Sequence, residues 1–357
     1  MEKIHPKLIL NEEALFYNAQ KMATLCHEKN IRLVAVTKVV CGDPHIARMY
    51  LKAGVDAIGD SRIQNIVKMR KNGIEGPYEL IRIPMISEVP LAVENSDVIL
   101  ISEIRVLKEI AKRAAELKKR QKILYMVDIG DLREGVWYPE AVEEISKAVE
   151  IPSIELYGIG TNLGCYGGVI PDEERMRVLI NVAKKLEEKG IKVNVVSGGN
   201  TAAVYLMQNG TLPQRINEYR IGEAIALGTD ITNGKTFDFL RQDTFTLEAE
   251  VVEVKRKPSI PQGKIGKDSM GRTPRFEDKG IRLKAIVALG EQDIACDGLI
   301  PLDKGIDVLH ASSDHTVLDV TECKKNVSVG DKIRFRLKYN ALLRAMTSSY
   351  VEKTWLK

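Results

Sequence analysis

Long apolar runs and an excess of one charge are both missing from this 357-residue sequence. No apolar run approaches the roughly 18 residues of a membrane span, and the N-terminal MEKIHPKLIL lacks the basic-then-apolar pattern of a signal peptide. Lysine and arginine number 53 against 49 aspartates and glutamates, so the net charge is only +4. The sequence therefore predicts no contact with a membrane, and it argues against binding of nucleic acid through bulk charge.

Cysteine and histidine are scarce, and neither residue type forms a recognisable ligand pattern. The odd number of cysteines and the absence of CxxC spacing favour a reducing, cytoplasmic environment. The cysteines are Cys26, Cys41, Cys165, Cys296 and Cys323. The five histidines form neither an HxH nor an HExxH pair, so the sequence predicts no metal site.

Short β-branched or apolar runs alternate with amphipathic helical stretches from residue 30 to about 228. Eight runs are predicted strands: LVAVTK (33–38), DAIGDS (56–61), YELIRIP (78–84), VILISE (98–103), KILYMVDIG (122–130), ELYGIGTN (155–162), KVNVVSGGN (192–200) and EYRIG (218–222). Eight strands, each followed by a helix-length segment, predict an α/β fold, namely a (β/α)8 barrel. A doubly wound open sheet is the alternative, but no GxGxxG follows the first strand.

The pattern changes after Gly228 to an alternation of period two. Four segments, 244–256, 281–290, 315–321 and 331–339, show this alternation between turn residues. They predict that a C-terminal β-strand domain follows the barrel, with 1–235 and 236–357 as the two domains. Residues 1–10 are a candidate partner of the β-strand domain. The polar segment 257–280 is predicted to be a loop that is either flexible or reaches another surface.

Two features at the predicted strand ends suggest a cofactor, because chemistry in a (β/α)8 barrel sits where the strands end. Lys38 ends an apolar strand, where a buried ammonium is costly unless it is paired or chemically used. The glycine-rich SGGNT (197–201), followed by RIG (220–222), can present backbone N–H groups to an anion. A snorkelling lysine and an ordinary glycine-rich loop are the alternatives. An amine beside a phosphate cradle is what pyridoxal 5'-phosphate needs.

The sequence resembles the alanine racemase superfamily of fold-type III pyridoxal-phosphate enzymes, and within it the ornithine/lysine racemase branch. The segments that carry the resemblance cover nearly the whole chain and occur in the family's order. They are AVTKVV (35–40), GDSRIQN (59–65), MVDIGDLREGV (126–136), GIGTNLGCYGG (158–168), SGGNTAA (197–203), YRIGEAI (219–225) and TSSYVEK (347–353). The resemblance implies that 1–235 is the cofactor-binding barrel.

The resemblance also implies roles for individual residues. Lys38 would be the lysine that bonds to the cofactor, Arg133 would reach the substrate carboxylate and the cofactor's phenolic oxygen, and Arg220 would face the pyridine nitrogen. The remaining cofactor-binding residues are Asn162, Asn200, Thr201, Gly222, Glu223 and Tyr350. Gly222 and Glu223 would offer backbone N–H groups to the phosphate, which Tyr350 would also touch.

Several positions depart from the alanine racemase pattern and bear on the substrate. The family's carbamylated lysine falls on Met126, and three positions where it has a tyrosine, a histidine and a second tyrosine carry Gly42, Asn162 and Met270. Its Cys-Met-Asp segment becomes Ser312–Ser313–Asp314. We expect a pocket larger than an alanine methyl needs, with Arg133, Ser312 and Asp314 binding the substrate.

Racemisation requires a proton donor or acceptor on each face of the α-carbon. Lys38 is the predicted group on one face. Asp268 and Ser269 are the predicted candidates for the other face, ahead of Ser312 and Cys41. An ordinary loop serine remains the alternative for Ser269.

The sequence thus predicts a pyridoxal-phosphate-dependent racemase of ornithine or lysine, a small-molecule enzyme that works as a homodimer with shared active sites. A basic side chain needs a carboxylate for its ammonium, and Asp60, Asp268 and Asp314 are the candidates. The alternatives are a broad-specificity or alanine racemase, a decarboxylase or metal-assisted aldolase, and a non-catalytic pyridoxal-phosphate-binding protein.

Overall fold

The computed structural model describes residues 6–356, and the chain divides into two compact units. The barrel unit comprises Phe16–Leu240. The β unit comprises the residues up to Leu15 and those from Arg241 onward. Across residues 6–356, none of the helices combines the length and the apolar character needed to cross a membrane.

The chain starts with strand β1 (Lys7–Leu10) and helix α1 (Glu12–His27), and the elements of the barrel unit follow. Its strands are β2 (Arg32–Val36), β3 (Ala57–Asp60), β4 (Tyr78–Leu80), β5 (Val98–Ile101), β6 (Gln121–Asp128), β7 (Val136–Trp137), β8 (Ile154–Gly160), β9 (Val195–Ser197), β10 (Glu218–Ile221), β11 (Thr229–Asp230) and β12 (Lys235–Thr236). Its helices are α2 (Pro44–Lys52), α3 (Ile63–Lys71), α4 (Val89–Asn95), α5 (Ile104–Glu116), α6 (Ala141–Ala148), α7 (Glu173–Glu188), α8 (Val204–Gln208) and α9 (Glu223–Leu227).

Eight of these strands close into a parallel barrel, which confirms the predicted fold. The order β5-β4-β3-β2-β10-β9-β8-β6 is completed by pairing of β5 with β6. All eight predicted strands are present. Closure buries both faces of the parallel sheet, which is why these strands read as nearly continuous apolar runs.

Local signals fix where the helices begin. The Asp43 carboxylate accepts hydrogen bonds from the backbone N–H groups of His45 and Ile46 at 2.9 and 3.0 Å, and Pro44 occupies the first turn of α2. Asp172 caps α7 in the same way through the N–H of Arg175 at 2.7 Å. Each cap satisfies backbone donors that the helix itself leaves unpaired, and it anchors the start of the helix after its loop.

An apolar cluster joins strands β5, β6 and β9 in the barrel unit. It consists of Val98, Leu100, Leu124, Met126 and Val195, all buried. Met126 is therefore a core residue at the position where the resembled family carries a lysine. Burial of each large apolar side chain is worth about 1.5–3 kcal/mol, so this cluster helps to hold the strands that carry the loops.

The β unit is built on one sheet, and its helix α10 was not predicted by the alternation of period two. Its elements are β13 (Phe245–Pro258), β14 (Ile281–Val287), β15 (Leu299–Pro301), β16 (Asp307–Ala311), β17 (Thr316–Asp319), β18 (Lys332–Leu337), α10 (Tyr339–Thr347) and β19 (Glu352–Trp355). The sheet order is β15-β18-β13-β14-β17-β16, and β1 pairs antiparallel with β13 and parallel with β19. Residues 259–280 form neither helix nor strand.

Candidate active site at the strand ends of the barrel

Lys38 lies two residues after the end of β2, at the carboxyl end of the barrel. It begins a short 3₁₀ turn, Lys38–Val40, and its side chain is half-buried. The chain then reverses sharply, because Cys41 and Gly42 both have positive φ angles. A Cβ atom on Gly42 would lie 2.5 Å from the Cβ atom of Asn65, so only glycine fits this turn. The turn keeps the lysine at the mouth of the barrel.

A buried carboxylate holds Thr37, the residue between β2 and Lys38. Asp60, at the end of β3, accepts a hydrogen bond from the Thr37 hydroxyl at 2.8 Å on one oxygen. Its other oxygen accepts from the Arg62 N–H at 2.9 Å and the Asn65 side-chain amide at 3.1 Å. Burial raises the pKa of Asp60, although these hydrogen bonds and the charge of Lys38 oppose the rise. Since both oxygens are occupied, Asp60 is poorly suited to receive a substrate ammonium.

Arg220 is a buried guanidinium on β10, the neighbour of β2 in the barrel. It donates hydrogen bonds to the Ser197 hydroxyl, to the Thr161 carbonyl at 2.6 Å and to the Asn162 side-chain oxygen at 3.0 Å. All three acceptors are neutral. Burial lowers the pKa of Arg220, and the charge of Glu218 opposes this. The barrel thus holds a cation whose direct hydrogen bonds do not neutralise it.

The loops after β9 and β10 are joined to each other and lie beside β2. The Thr201 hydroxyl accepts a hydrogen bond from the Ala224 N–H at 3.2 Å. A Cβ atom on Gly222 would lie 3.1 Å from the Cβ atom of Val36, so the backbone of this turn packs closely against the end of β2. Thr201, Gly222 and Lys38 are therefore brought to one end of the barrel, as predicted for residues at strand ends.

Asn200 and Glu223 mainly organise the surrounding loops through their side chains. The Asn200 amide donates to the Leu163 carbonyl at 2.9 Å and to Cys165 Sγ at 3.2 Å, while its oxygen accepts from the Ala202 N–H. The Glu223 carboxylate accepts from the Thr229 hydroxyl at 2.7 Å and the Ile231 N–H at 2.9 Å. Burial raises the pKa of Glu223 to about 7.

Asp131 and Glu134 hold the loops after β6 and β8, and the sequence analysis assigned no role to either residue. The buried Asp131 carboxylate accepts hydrogen bonds from four backbone N–H groups, those of Gly164, Cys165, Tyr166 and Val169. Glu134 forms an ion pair with Arg133 and accepts from the Asn162 amide at 2.6 Å. Two acidic residues in the loop between β6 and β7 were the only signal, and this does not distinguish such residues from solvated ones.

The other predicted site residues lie in the β unit. Asp268 forms an ion pair with Arg272 at 2.9 Å and a hydrogen bond with His310 at 2.7 Å. Hydrogen bonds from Arg272 and His310 hold the pKa of Asp268 well below its usual range against the opposing effect of desolvation. The adjacent Ser269 is exposed. A carboxylate with so low a pKa is a weak base, which argues against Asp268 as a proton acceptor.

Ser312, Asp314 and Tyr350 also belong to the β unit. Ser312 hydrogen-bonds through its N–H to the His315 carbonyl at 2.9 Å, which closes a turn around Asp314. Within residues 6–356, the exposed Asp314 carboxylate makes no hydrogen bond or ion pair. Tyr350 is 67% exposed, and its backbone N–H donates to the Ser348 hydroxyl at 3.0 Å. The part of the chain that the structure describes contains no group of three or more potential metal ligands.

Comparison with protein families gives one match that covers more than half of the chain. Residues 10–230 match the family described as "Alanine racemase, N-terminal domain". The chain is 51% identical to the lysine racemase of Thermotoga maritima over 353 residues, 99% of both chains. It is 39% identical to the ornithine racemase of Acetoanaerobium sticklandii over 355 residues, 99% of this chain and 100% of that protein.

Solved structures with low sequence identity share the fold. An alanine racemase of Clostridium difficile 630 in complex with cycloserine has a TM-score of 0.75 at 18% identity, over 100% of this chain and 96% of that chain. A D-threonine aldolase from Filomicrobium marinum has a TM-score of 0.74 at 17% identity, over 96% of this chain and 89% of that chain. At these low sequence identities, the structural similarity supports a shared fold and nothing further.

Proposed function

Because the chain belongs to the alanine racemase N-terminal domain family, we propose that it interconverts the L- and D-forms of lysine or ornithine with pyridoxal 5'-phosphate as cofactor. The observation that carries this proposal is the full-length match to a lysine racemase and an ornithine racemase. The protein is an amino-acid racemase, an isomerase, and the two basic amino acids are its expected substrates.

The groups at the carboxyl end of the barrel fit this cofactor in their chemistry. Lys38 supplies a primary amine, and the joined turns at Thr201 and Gly222 supply backbone beside it for a phosphate. Arg220 supplies a buried hydrogen-bond donor. We propose that Asn162, Asn200, Glu223 and Tyr350 complete the set. When bound, the cofactor would weaken the bond between the substrate α-carbon and its hydrogen by withdrawing electrons.

The two arginines have different expected tasks. Arg133 is 41% exposed at its side chain and can meet the substrate carboxylate with a planar pair of donors. Arg220 only donates hydrogen bonds, so it would face an unprotonated pyridine nitrogen. A ring that carries no proton is a weaker electron sink, which favours rapid return of a proton over decarboxylation or transamination.

Proton transfer needs one group on each face of the α-carbon, and Lys38 is our proposal for one face. Ser269 stays the prediction for the other face, because its side chain is exposed next to the loop anchored by Asp268. Asp268 also stays a prediction for proton transfer, although its ion pair with Arg272 favours a role in holding that loop.

Direct assay of the cofactor-loaded protein tests the proposed function. Incubation with L-lysine, L-ornithine or L-alanine, followed by chiral chromatography, should give the D-form fastest with the two basic amino acids. The reverse reaction from each D-form should approach the same equilibrium mixture, because the two enantiomers have equal free energies. If alanine is racemised fastest, the proposed preference for basic amino acids is wrong, and only the assignment to the racemase class remains.

Substrate choice is expected to depend on Asp314, whose carboxylate is the only one of the three predicted acids without a hydrogen bond within residues 6–356. Asp314→Asn should lower kcat/KM for lysine and ornithine by roughly tenfold or more and leave kcat/KM for alanine within about twofold, because loss of one charged contact costs at least about 1.4 kcal/mol. The measurement is kcat/KM for all three amino acids. Asp303→Asn, at a surface ion pair with Lys325 in the same unit, is the control. Equal losses for all three substrates would contradict this assignment.

We propose that the enzyme works in the cytoplasm as a two-fold dimer, with Ser312 and Asp314 of one copy completing the substrate site of the other. Light scattering at assay concentration should give twice the chain mass of 39.8 kDa. Mixing Lys38→Ala chains with Asp314→Asn chains should restore activity toward lysine, because half of the mixed sites would carry both native residues. A fully active monomer would refute the shared site.

A further inference from the structure

One carboxylate, that of Glu134, is connected to both arginines of the candidate site. Its Oε1 accepts hydrogen bonds from Arg133 Nη2 at 2.8 Å and from Asn162 Nδ2 at 2.6 Å, and its Oε2 pairs with Arg133 Nε. Asn162 Oδ1 in turn accepts from Arg220 Nη2 at 3.0 Å. The result is a continuous path from Arg133 through Glu134 and Asn162 to Arg220.

The chemistry of the Asn162 side chain makes this path directional. A guanidinium has only donors, so the amide oxygen of Asn162 must face Arg220. The amide nitrogen then points the other way and needs an acceptor, which the Glu134 carboxylate supplies. A flipped amide would set donor against donor at Arg220 and acceptor against acceptor at Glu134, so both neighbours select the same orientation.

The burial of these groups makes the contacts worth more than a surface ion pair. The Glu134 side chain is 21% exposed, and Arg220 is 3% exposed. Hydrogen bonds that involve a charged group gain strength where water is partly excluded. The groups that accept hydrogen bonds directly from Arg220 are all neutral. Glu134 adds a negative charge one residue further along the path, behind Asn162.

We infer that Glu134 is a positioning residue that orients Arg220 through the Asn162 amide and holds Arg133 directly. This inference rests on the proposed function and deepens it, because it couples the group expected to face the cofactor ring to the group expected to bind the substrate carboxylate.

Two substitutions at Glu134 separate its two contacts. In Glu134→Gln, the side-chain oxygen can still accept from Asn162 and from Arg133 Nη2, but the new amide nitrogen faces Arg133 Nε, and the negative charge is gone. Arg220 should stay in place, while Arg133 loses its ion pair and is held by one neutral hydrogen bond only. In Glu134→Ala, both contacts disappear. Glu174→Ala is the matched control, since Glu174 also pairs with an adjacent arginine, Arg175, and is 80% exposed at its side chain.

Steady-state kinetics and the visible spectrum of the cofactor-loaded enzyme read out the two contacts. Glu134→Gln should raise KM for lysine roughly tenfold with kcat within about twofold, because only substrate binding is weakened. Glu134→Ala should lower kcat roughly tenfold as well and shift the visible absorption band, because the Asn162 amide that accepts from Arg220 is no longer fixed in its orientation. The dissociation constant for pyridoxal phosphate should rise in Glu134→Ala and stay unchanged in Glu134→Gln and in Glu174→Ala.

The outcomes distinguish this inference from the proposed function. If the wild type racemises lysine or ornithine but both Glu134 variants change only the melting temperature, the inference is wrong and the function stands. If the wild type binds the cofactor without racemising any amino acid, the function fails. In that case, the cofactor dissociation constants and absorption bands of the Glu134 variants still test the role of Glu134. A wild type that does neither overturns both.

Discussion

Replacement of Lys38 by alanine should lower racemisation by about 10²–10⁴-fold, the range for loss of a positioned proton-transfer group, and should abolish covalent attachment of pyridoxal phosphate. The half-buried lysine follows β2 at the carboxyl end of the barrel, beside the turn at Gly222. The buried Asp60, which accepts from the Thr37 hydroxyl, braces this turn. A loss of activity with an unchanged fold would therefore report the chemistry of the amine.

Three measurements check this result. Wild-type protein loaded with pyridoxal phosphate should absorb in the visible, and borohydride reduction followed by peptide mass spectrometry should locate the label on Lys38. A small primary amine added to Lys38→Ala should restore part of the activity, which a merely misfolded variant would not show. Lys52→Ala, at the end of α2, is the control and should behave like the wild type. A label on another lysine would refute the assignment.

The barrel could be predicted from sequence because its signal is strong at every strand. Runs such as VILI in β5 are buried on both faces, and helices such as α5 carry a regular apolar stripe. The β unit was predicted less completely. Its strands β15, β16 and β19 have three to five residues, too few for an alternation to stand out. Helix α10 follows β18 within two residues and lies almost wholly beyond the predicted segment 331–339, to which no helix was assigned.

The residues of the candidate site likewise fall into those that the sequence could predict and those that it could not. Lys38 and Arg220 could be assigned because the motifs around them resemble a known family. Glu134 could not, since its partner Asn162 lies 28 residues away in sequence and only the barrel brings the two side chains together. Asp60 was expected to be a possible substrate ligand, but the sequence gives no sign that both of its oxygens accept hydrogen bonds. Contacts between strand-end loops are set by tertiary structure.

A second large effect is expected far from the chemistry, at a buried ion cluster in the barrel. Arg32, the first residue of β2, contacts the carboxylates of both Glu79 and Glu218, at 2.6 Å for Glu218. Both glutamates are fully buried, and one oxygen of each has no hydrogen-bond partner among residues 6–356. The single positive charge of Arg32 is thus shared between two carboxyl groups. Burial and the neighbouring charge of Glu218 raise the pKa of Glu79 to about 8, so the pair retains a proton near neutral pH.

The raised pKa fixes how this cluster depends on pH. Glu79 has an ordinary pKa of 4.5 in the unfolded chain, so folding favours its protonated form between 4.5 and about 8. The stability contributed by protonation is fully present below pH 4.5 and is lost as the pH rises through 8. We therefore expect Glu79 to lower the stability of the wild-type protein as the pH rises across this window.

Arg32→Met should destabilise the protein by about 3–5 kcal/mol, because it leaves two buried carboxyl groups without their cation. The loss should be greater above pH 8 than below it, since Glu79 is then driven to ionise without a cation beside it. Denaturant unfolding followed by circular dichroism on either side of pH 8 measures both effects. Arg113→Met is the matched control, because Arg113 also pairs with two glutamates, Glu94 and Glu116, but on the surface of helix α5. Equal losses of stability in the two variants would contradict this prediction. So would a loss in Arg32→Met that does not grow with pH, because either result would show that Arg32 does not balance the charge of the two buried glutamates.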